Sequence, residues 1–526
     1  MAIALKPSRP LVTPPAAPRA AAAAAAVSPA AVLIVVMLGN FLGPLYSSTA
    51  NVIIPNLIAS FGSDVDTMEW VVTGYMLGYS ITMPLAGWLA DTFGRKRMFL
   101  IGLAMFTIFS ICASMSTSTG MLIMFRILQA VGGGIISPTG MAIVTDVIPP
   151  HQRGRALGLW GMGMMLAPAF GPWISGLIVD NLDDWRLVFW LGVPFGIAGL
   201  LAAVRALPGE EDRPTRARTA FDYIGFGALS SSLTLFLIPL TQGNRLGWDD
   251  PWIMYSFIAS AVMFALFIWN ELRVKHPMID LALFRDRTFS VAVFLRAVLG
   301  TGYYFSIFLI PLFTQTILGW DATQSGLVLL PAGLAMAILM PIAGTLADKI
   351  GARVLVVAGM IIAAYGTFLF ARIDIDWEFG RLAIANLIRT GALGLLFTPL
   401  TTAALTNMPR NRTGSASGIL NTVWQVGGSL GIAVGQAYLT ARSSNDYIAV
   451  ASSLNSSRIP VMQYLQQMHG VATFFHLPPG SPQAMLSELA MEIATVRAYG
   501  DTFLLGAAMV AIAVPLAFIL PHRRKA

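Results

Sequence analysis

Charge is scarce in this chain: 11% of its 526 residues are charged and 56% are hydrophobic. A soluble globular domain carries about a quarter charged residues, and at the composition seen here polar side chains cannot cover a water-facing surface. A soluble fold is excluded, and an all-α polytopic membrane protein is expected. Cysteine is nearly absent. The one thiol, Cys112, lies in an apolar run, which rules out an intramolecular disulfide and a cysteine metal cluster. The five histidines lack metal-ligand spacing, so no metal and no other cofactor is expected. No G-x-x-x-x-G-K-[ST] phosphate loop occurs, so ATP hydrolysis is not expected and nothing in the chain reads as an enzyme.

What is abundant is apolar length. A span needs roughly 20 predominantly apolar residues. Fourteen runs qualify: 30–60, 67–90, 98–116, 119–145, 156–179, 186–206, 222–242, 251–271, 288–317, 323–347, 353–372, 382–407, 414–441 and 500–520. Basic residues set the orientation. With the N-terminus cytoplasmic, most of the 33 Lys and Arg fall in cytoplasmic segments, among them Arg95, Lys96, Arg97, Arg153, Arg155, Arg213, Arg273 and Arg523. The opposite loops are acidic, as in "SDVDTME" (Ser63 to Glu69) and "DIDWE" (Asp374 to Glu378). Both termini are expected inside, and the net charge of +7 reads as topology, not as a nucleic-acid surface.

One phrase is written twice. "PLAGWLADTFG" from Pro84 and "PIAGTLADKIG" from Pro341 agree at seven of eleven positions, 257 residues apart. Each closes an even-numbered span on the cytoplasmic side. Two copies of a six-helix unit follow, with two helices inserted between them, and such parallel repeats are a transporter architecture with a substrate site between the halves. The expected organisation is a disordered cytoplasmic tail at 1–29, a bundle at 30–206, a linker with two extra spans at 207–287, a second bundle at 288–520 and a tail at 521–526. A cleaved leader is the rival reading of the first segment. In the repeated phrase Asp91 ends a span, Gly94 permits a tight turn, and Arg95 and Lys96 follow. A carboxylate there can accept from amides at a neighbouring helix N-terminus and pair with arginine, forming a latch that holds in one conformation only. Asp146, before "PPHQRGR", is placed to extend it by pairing with Arg95.

Gly87, Asp91, Gly94, Arg95 and Lys96 resemble the loop motif of the major facilitator superfamily. The second copy keeps Gly344, Asp348 and Gly351 but has Ala352 where an arginine is usual. "RILQAVGGG", with Arg126 and Gln129, resembles that superfamily's fourth-span motif. Gly158, Ala167, Gly171, Pro172, Ser175 and Gly176 resemble the fifth-span antiporter motif, with alanine and serine in place of two glycines. The resemblance implies a fourteen-span drug:proton antiporter of the bacterial inner membrane, in which Arg126 couples proton movement to conformational change. A small-residue ridge of this kind also serves plain tight packing, with Pro168 and Pro172 making the span bendable.

Ionisable residues inside lipid are expensive and usually functional. Three lie well within the assigned spans: Arg126, Arg296 and Arg389. Arg296 is expected close enough to one end of its span to snorkel, and Arg389 is similarly shallow from the outer side. None of the 26 acids falls at a span centre, and Tyr46 stands where relatives carry a first-span aspartate. A phenol holds its proton at neutral pH, so coupling would run through Asp91, Asp146, Asp222 or Asp501, or through groups around Arg126. A cavity lined by scattered polar groups would draw on Tyr46, Asn51, Gln129, Gln315, Asn421, Trp424 and Gln425. Met162, Met164, Met165 and Phe170 would form a pliable wall.

The segment 442–499 is too polar to span. It is expected as an outer loop, with "SELAMEIATVRAYGD" (Ser487 to Asp501) lying helically along the membrane surface, either as a passive lid or as a dock for a periplasmic adaptor. The expected activity is export of hydrophobic or amphipathic compounds in exchange for protons. Export of an endogenous lipid or metabolite with unusual coupling is the alternative, favoured by the missing first-span aspartate.

Overall fold

In a computed structural model the chain is all-helical among the described residues, which are 28–521 except 64, 150–151, 183, 209–220, 275–276, 278, 280, 407, 409–411, 454–461, 469–477 and 479–480. The first bundle comprises α1 (Pro29–Phe61), α2 (Val65–Phe93), α3 (Arg95–Ser114), α4 (Thr119–Val147) and α5 (Arg153–Leu182). Its sixth pass is broken into α6 (Arg186–Trp190) and α7 (Val193–Ala206). The inserted pair is α8 (Tyr223–Leu246) and α9 (Pro251–Glu271). The second bundle comprises α10 (Arg287–Thr316), α11 (Ala322–Ile350), α12 (Ala352–Leu369), α13 (Phe379–Thr406), α14 (Thr413–Ser453) and α15 (Ser481–Ala517). Each of the fourteen expected spans coincides with described helix, the sixth interrupted at 191–192. The expected tails lie outside the described residues, but for 28, 29 and 521.

Twelve of the described helical segments are long and apolar enough to cross a membrane; α2 and α14 are not among them. These two pack against each other and against α8. Much of their surface therefore faces protein, where polar side chains cost less than against lipid.

The repeat in sequence is a repeat in packing. Within the first bundle α1 pairs with α5, α2 with α4, and α3 with α4; within the second α10 pairs with α14, α11 with α13, and α12 with α13. The contacts between bundles follow the same rule, α5 against α11 and α2 against α14. The inserted α8 lies over the second seam. Leu229, Leu233, Leu237 and Leu240 pack with Leu77, Leu85 and Trp88 of α2 and with Val426, Leu430 and Ala433 of α14.

The region expected as an outer loop is largely helix. α14 continues to Ser453 and α15 begins at Ser481, so Ser487 to Asp501 is the start of the last helix and not a separate surface segment. A 41-residue helix is about 60 Å long, twice the hydrocarbon thickness. Both helices are longer than the hydrocarbon core is thick, and their ends around 442–453 and 487–501 pack as an antiparallel pair. Tyr447 and Val450 pack on Ala490 and Ala494. Ser443 and Thr495 hydroxyls are 3.0 Å apart, and Arg442 donates to Asp501 at 2.6 Å. Each helix supplies the other with an apolar face, which is why a stretch too polar for lipid still folds as helix.

The two latch glycines share a backbone conformation. Gly94 has φ 97° and ψ 141°, and Gly351 has φ 90° and ψ 156°. Only glycine adopts this region without strain, and the reversal lets α3 and α12 start immediately after α2 and α11. Gly351→Ala is expected to cost about 1–3 kcal/mol and to lower the melting temperature in detergent. Gly120→Ala, whose added carbon meets no atom within 4 Å, is the control and leaves it unchanged.

Candidate functional site

Arg95 is buried at the start of α3 and joins three helices. Its Nη2 lies 3.2 Å from Asp91 of α2 and its Nη1 2.6 Å from Asp146 of α4. Nη1 also donates to the Ala142 carbonyl at 2.8 Å. Nη2 reaches across the bundle interface to Thr413 Oγ1, 2.9 Å away at the first residue of α14. Asp91 faces the next residue: a methyl group at Gly414 would lie 2.8 Å from both of its carboxylate oxygens. Gly87 touches the Gly414 backbone as closely.

The second copy makes the reciprocal contact. A methyl group at Gly154, the second residue of α5, would lie 2.7 Å from Asp348 Oδ2, and Gly344 meets the Gly154 backbone. Each latch aspartate thus sits on the N-terminal turn of the fifth helix of the facing bundle. Exposed amides and the helix dipole favour a negative charge there by about 0.3–1 kcal/mol, more when partly buried. Both bundles are closed at this membrane face, here the latch face. Lys96, expected in the latch, is elsewhere: it donates to Val204 and Leu207 carbonyls at 2.9 and 2.7 Å, capping the C-terminus of α7. Its long stem reaches those last-turn carbonyls, which carry partial negative charge.

The fifth-span small residues divide between two partners. Gly158 meets Pro341 and the Met340 carbonyl of α11, while Gly171 meets Ser48 and the Leu45 carbonyl of α1. Ala167, Ser175 and Gly176 are buried, and Pro172 is half-buried beside them. The stripe lets α5 lie against both its own bundle and the other one.

Arg126 is fully buried and fully engaged. It donates to the Val71 carbonyl, to Gln129 Oε1 at 2.9 Å and to the Tyr46 carbonyl at 2.9 Å, with its guanidinium 4.1 Å from the Tyr75 ring centroid. It ties α4 to α1 and α2. Arg389 of α13 repeats the plan, donating to Asn386 and Thr390 at 2.8 Å and towards the Gly302 carbonyl of α10. Neither Arg389 nor Arg296 snorkels; both side chains point into the second bundle and are buried. Arg296 donates to Thr401 Oγ1 at 2.5 Å and stacks 3.6 Å from the Phe397 ring centroid.

The expected cavity set separates. Tyr46 faces the inside of the first bundle: its hydroxyl donates to the Phe189 carbonyl and accepts from the Gly192 amide at 2.9 Å and from Ser110. It thereby satisfies backbone groups freed where the sixth pass breaks between α6 and α7. Gln315 is exposed near the end of α10, and the Asn51 side chain lies outside the described residues. Gln129 is the acceptor for Arg126. Asn421, Trp424 and Gln425 remain together, buried on α14. Trp424 packs on Tyr303, Tyr304 and Phe397, and Tyr304 donates to Gln425 at 3.3 Å. Phe397 in turn meets Trp160 of the first bundle, with ring centroids 6.4 Å apart. Met164 and Met165 are buried close by on α5. Sequence reasoning missed Tyr303, Tyr304, Phe397 and Trp160, because an aromatic residue in a membrane helix carries no mark of the face it occupies.

A cavity of about 530 Å³ lies at the face opposite the latch, beside α14 and α15, where Asp374, Arg442, Asp446, Glu492, Arg497 and Asp501 alternate with apolar residues such as Ile373 and Ile493. Its lining mixes charged and apolar side chains, unlike the aromatic contact between bundles.

The model for the Major Facilitator Superfamily matches residues 36–432. The chain belongs to this superfamily. It is 32% identical over 437 residues to the multidrug export protein EmrB of Escherichia coli, covering 82% of this chain and 85% of that one. It is 30% identical over 426 residues to the uncharacterized MFS-type transporter YhcA of Bacillus subtilis, covering 80% and 79%. The multidrug resistance protein Stp of Mycobacterium tuberculosis is 32% identical over 406 residues, covering 77% and 74%. The human organic anion transporter MFSD10 (TETRAN) superposes with a TM-score of 0.60 at 15% identity, covering 93% of this chain and 99% of that one. That likeness shows the fold. As a superfamily member the chain is a multi-span membrane protein of a transporter family.

Loss of the Asp91 charge should loosen the latch face. With Ser417→Cys, a fully buried position, in a Cys112→Ser background in nanodiscs, Asp91→Asn is expected to speed labelling by a membrane-impermeant maleimide about tenfold, a shift of ~1.4 kcal/mol. Lys96→Gln is expected to leave the rate unchanged.

Proposed function

We propose that this chain is a multidrug efflux transporter of a bacterial inner membrane, exporting hydrophobic or amphipathic compounds by alternating access in exchange for protons. The observation that carries the reading is the reciprocal pair of latches, Asp91 on Gly414 and Asp348 on Gly154. Contacts of this kind hold only while the bundles are closed at that face, so they are suited to switching. The relatives named for multidrug export and resistance support the substrate class. Both termini are cytoplasmic in this reading, the latch face is the inner face, and the moving bodies are residues 30–206 and 288–520.

Of the acids available for coupling, Asp222 caps α8 and accepts from Asn270 at 2.6 Å, and Asp501 is paired with Arg442 far from the latch. Asp91 and Asp146 share Arg95, which also bonds across the interface, so protonation of either would weaken the closed latch. Arg126 holds α1, α2 and α4 in register while this happens. The paired ends of α14 and α15 are the segment suited to a periplasmic adaptor protein. A second reading, export of an endogenous lipid or metabolite, is favoured by the absence of any acid at a span centre.

The test is reconstitution in liposomes with an imposed pH gradient and a panel of cationic, neutral and anionic amphiphiles. Substrate movement that follows the gradient is expected, and Asp91→Asn or Arg126→Ala should abolish it while membrane insertion stays intact. Movement of a neutral lipid with no response to pH would exclude antiport.

A further inference from the structure

Besides Arg95 at the latch, three guanidinium groups are buried in the bundles among the described residues, and they differ in how completely the protein satisfies them. In Arg126 all three nitrogens donate to oxygen atoms. In Arg389 both terminal nitrogens do. In Arg296 only Nη1 does, to Thr401; Nε and Nη2 are buried with no partner. No carboxylate pairs with Arg296 among the described residues, and its residue is 0% exposed. Among the described residues its other support is aromatic, from Phe397 and, at 5.4 Å, Trp424. Buried cations are ordinarily paired or saturated with hydrogen bonds, so the two nitrogens without a partner are open to an anion from outside the described residues.

We propose that Arg296 is the anion-recognising group of the transport site and that the exporter takes amphipathic organic acids as carboxylates. The proposal rests on the efflux reading and narrows its substrate class. Nε and Nη2 form one edge of the guanidinium, the fork that binds both oxygens of a carboxylate in parallel. Trp424 and, two turns along α10, Tyr303 and Tyr304 supply an apolar wall for the body of the acid. Access runs past Phe397, whose ring lies 3.6 Å from the guanidinium and 6.4 Å from the ring of Trp160 of α5. Parting of the bundles withdraws Trp160, and rotation of the freed Phe397 ring then uncovers the charge.

The test uses the full chain in nanodiscs at neutral pH with three fluorescent probes of one shape: pyrenebutyrate, its primary amide and a pyrenebutyl-trimethylammonium. Binding is corrected for partition into empty nanodiscs. Wild type should bind the carboxylate roughly tenfold or more tightly than the amide, the scale of a charge-assisted hydrogen bond. Arg296→Lys should keep a preference for the carboxylate, and Arg296→Gln should bring the ratio close to one. A wild-type ratio near one, or a preference for the ammonium, overturns the proposal whether or not the variants fold. A full preference surviving in Arg296→Gln overturns it equally. Export assays on the same probes separate the two readings. A preserved binding ratio with none of the probes exported would overturn efflux alone, while export with no carboxylate preference would overturn the anion site alone.

Discussion

The architecture depends on how closely the two bundles approach at the latch face. Glycine at 87, 154, 344 and 414 brings backbone against backbone there, leaving room for a carboxylate on each facing helix N-terminus. Any side chain at these positions would part the bundles, and the aspartates would then face water instead of amides. Close approach and electrostatics are therefore one device. The positive-φ turns at Gly94 and Gly351 serve the same end, since they set the aspartates where α2 and α11 finish.

A second constraint is the bilayer, which leaves no water to satisfy buried polar groups. Arg126 illustrates the solution: carbonyls of α1 and α2 and the amide of Gln129 replace the missing solvent. Tyr46 does the same at the break in the sixth pass. The residue that stands in place of a membrane aspartate thus has a structural occupation, accepting from Gly192 and donating to Phe189. Its hydroxyl is spent inside the bundle.

Much of this was legible in the sequence. Span positions follow from apolar length, and the latch follows from a phrase repeated with fixed spacing, down to the pairing of Asp146 with Arg95. Other features were not legible for definable reasons. Depth along a helix does not tell the direction of a side chain, so Arg296 reads as shallow although its stem turns inward onto Phe397. Polarity argues against lipid but not against helix, so residues 442–453 read as loop although α15 covers them. Tyr46 and Trp424 carry equal claims in sequence to line a cavity, and only packing separates the inside of one bundle from the contact between two.

The inserted α8 has a consequence for the molecule's perimeter. The bundles repeat one packing plan and both seams bring glycine against backbone, yet only the α2–α14 seam is also covered by four leucines of α8. Lipid therefore meets unlike walls on the two flanks, and the symmetry of the machinery stops short of its boundary with the membrane.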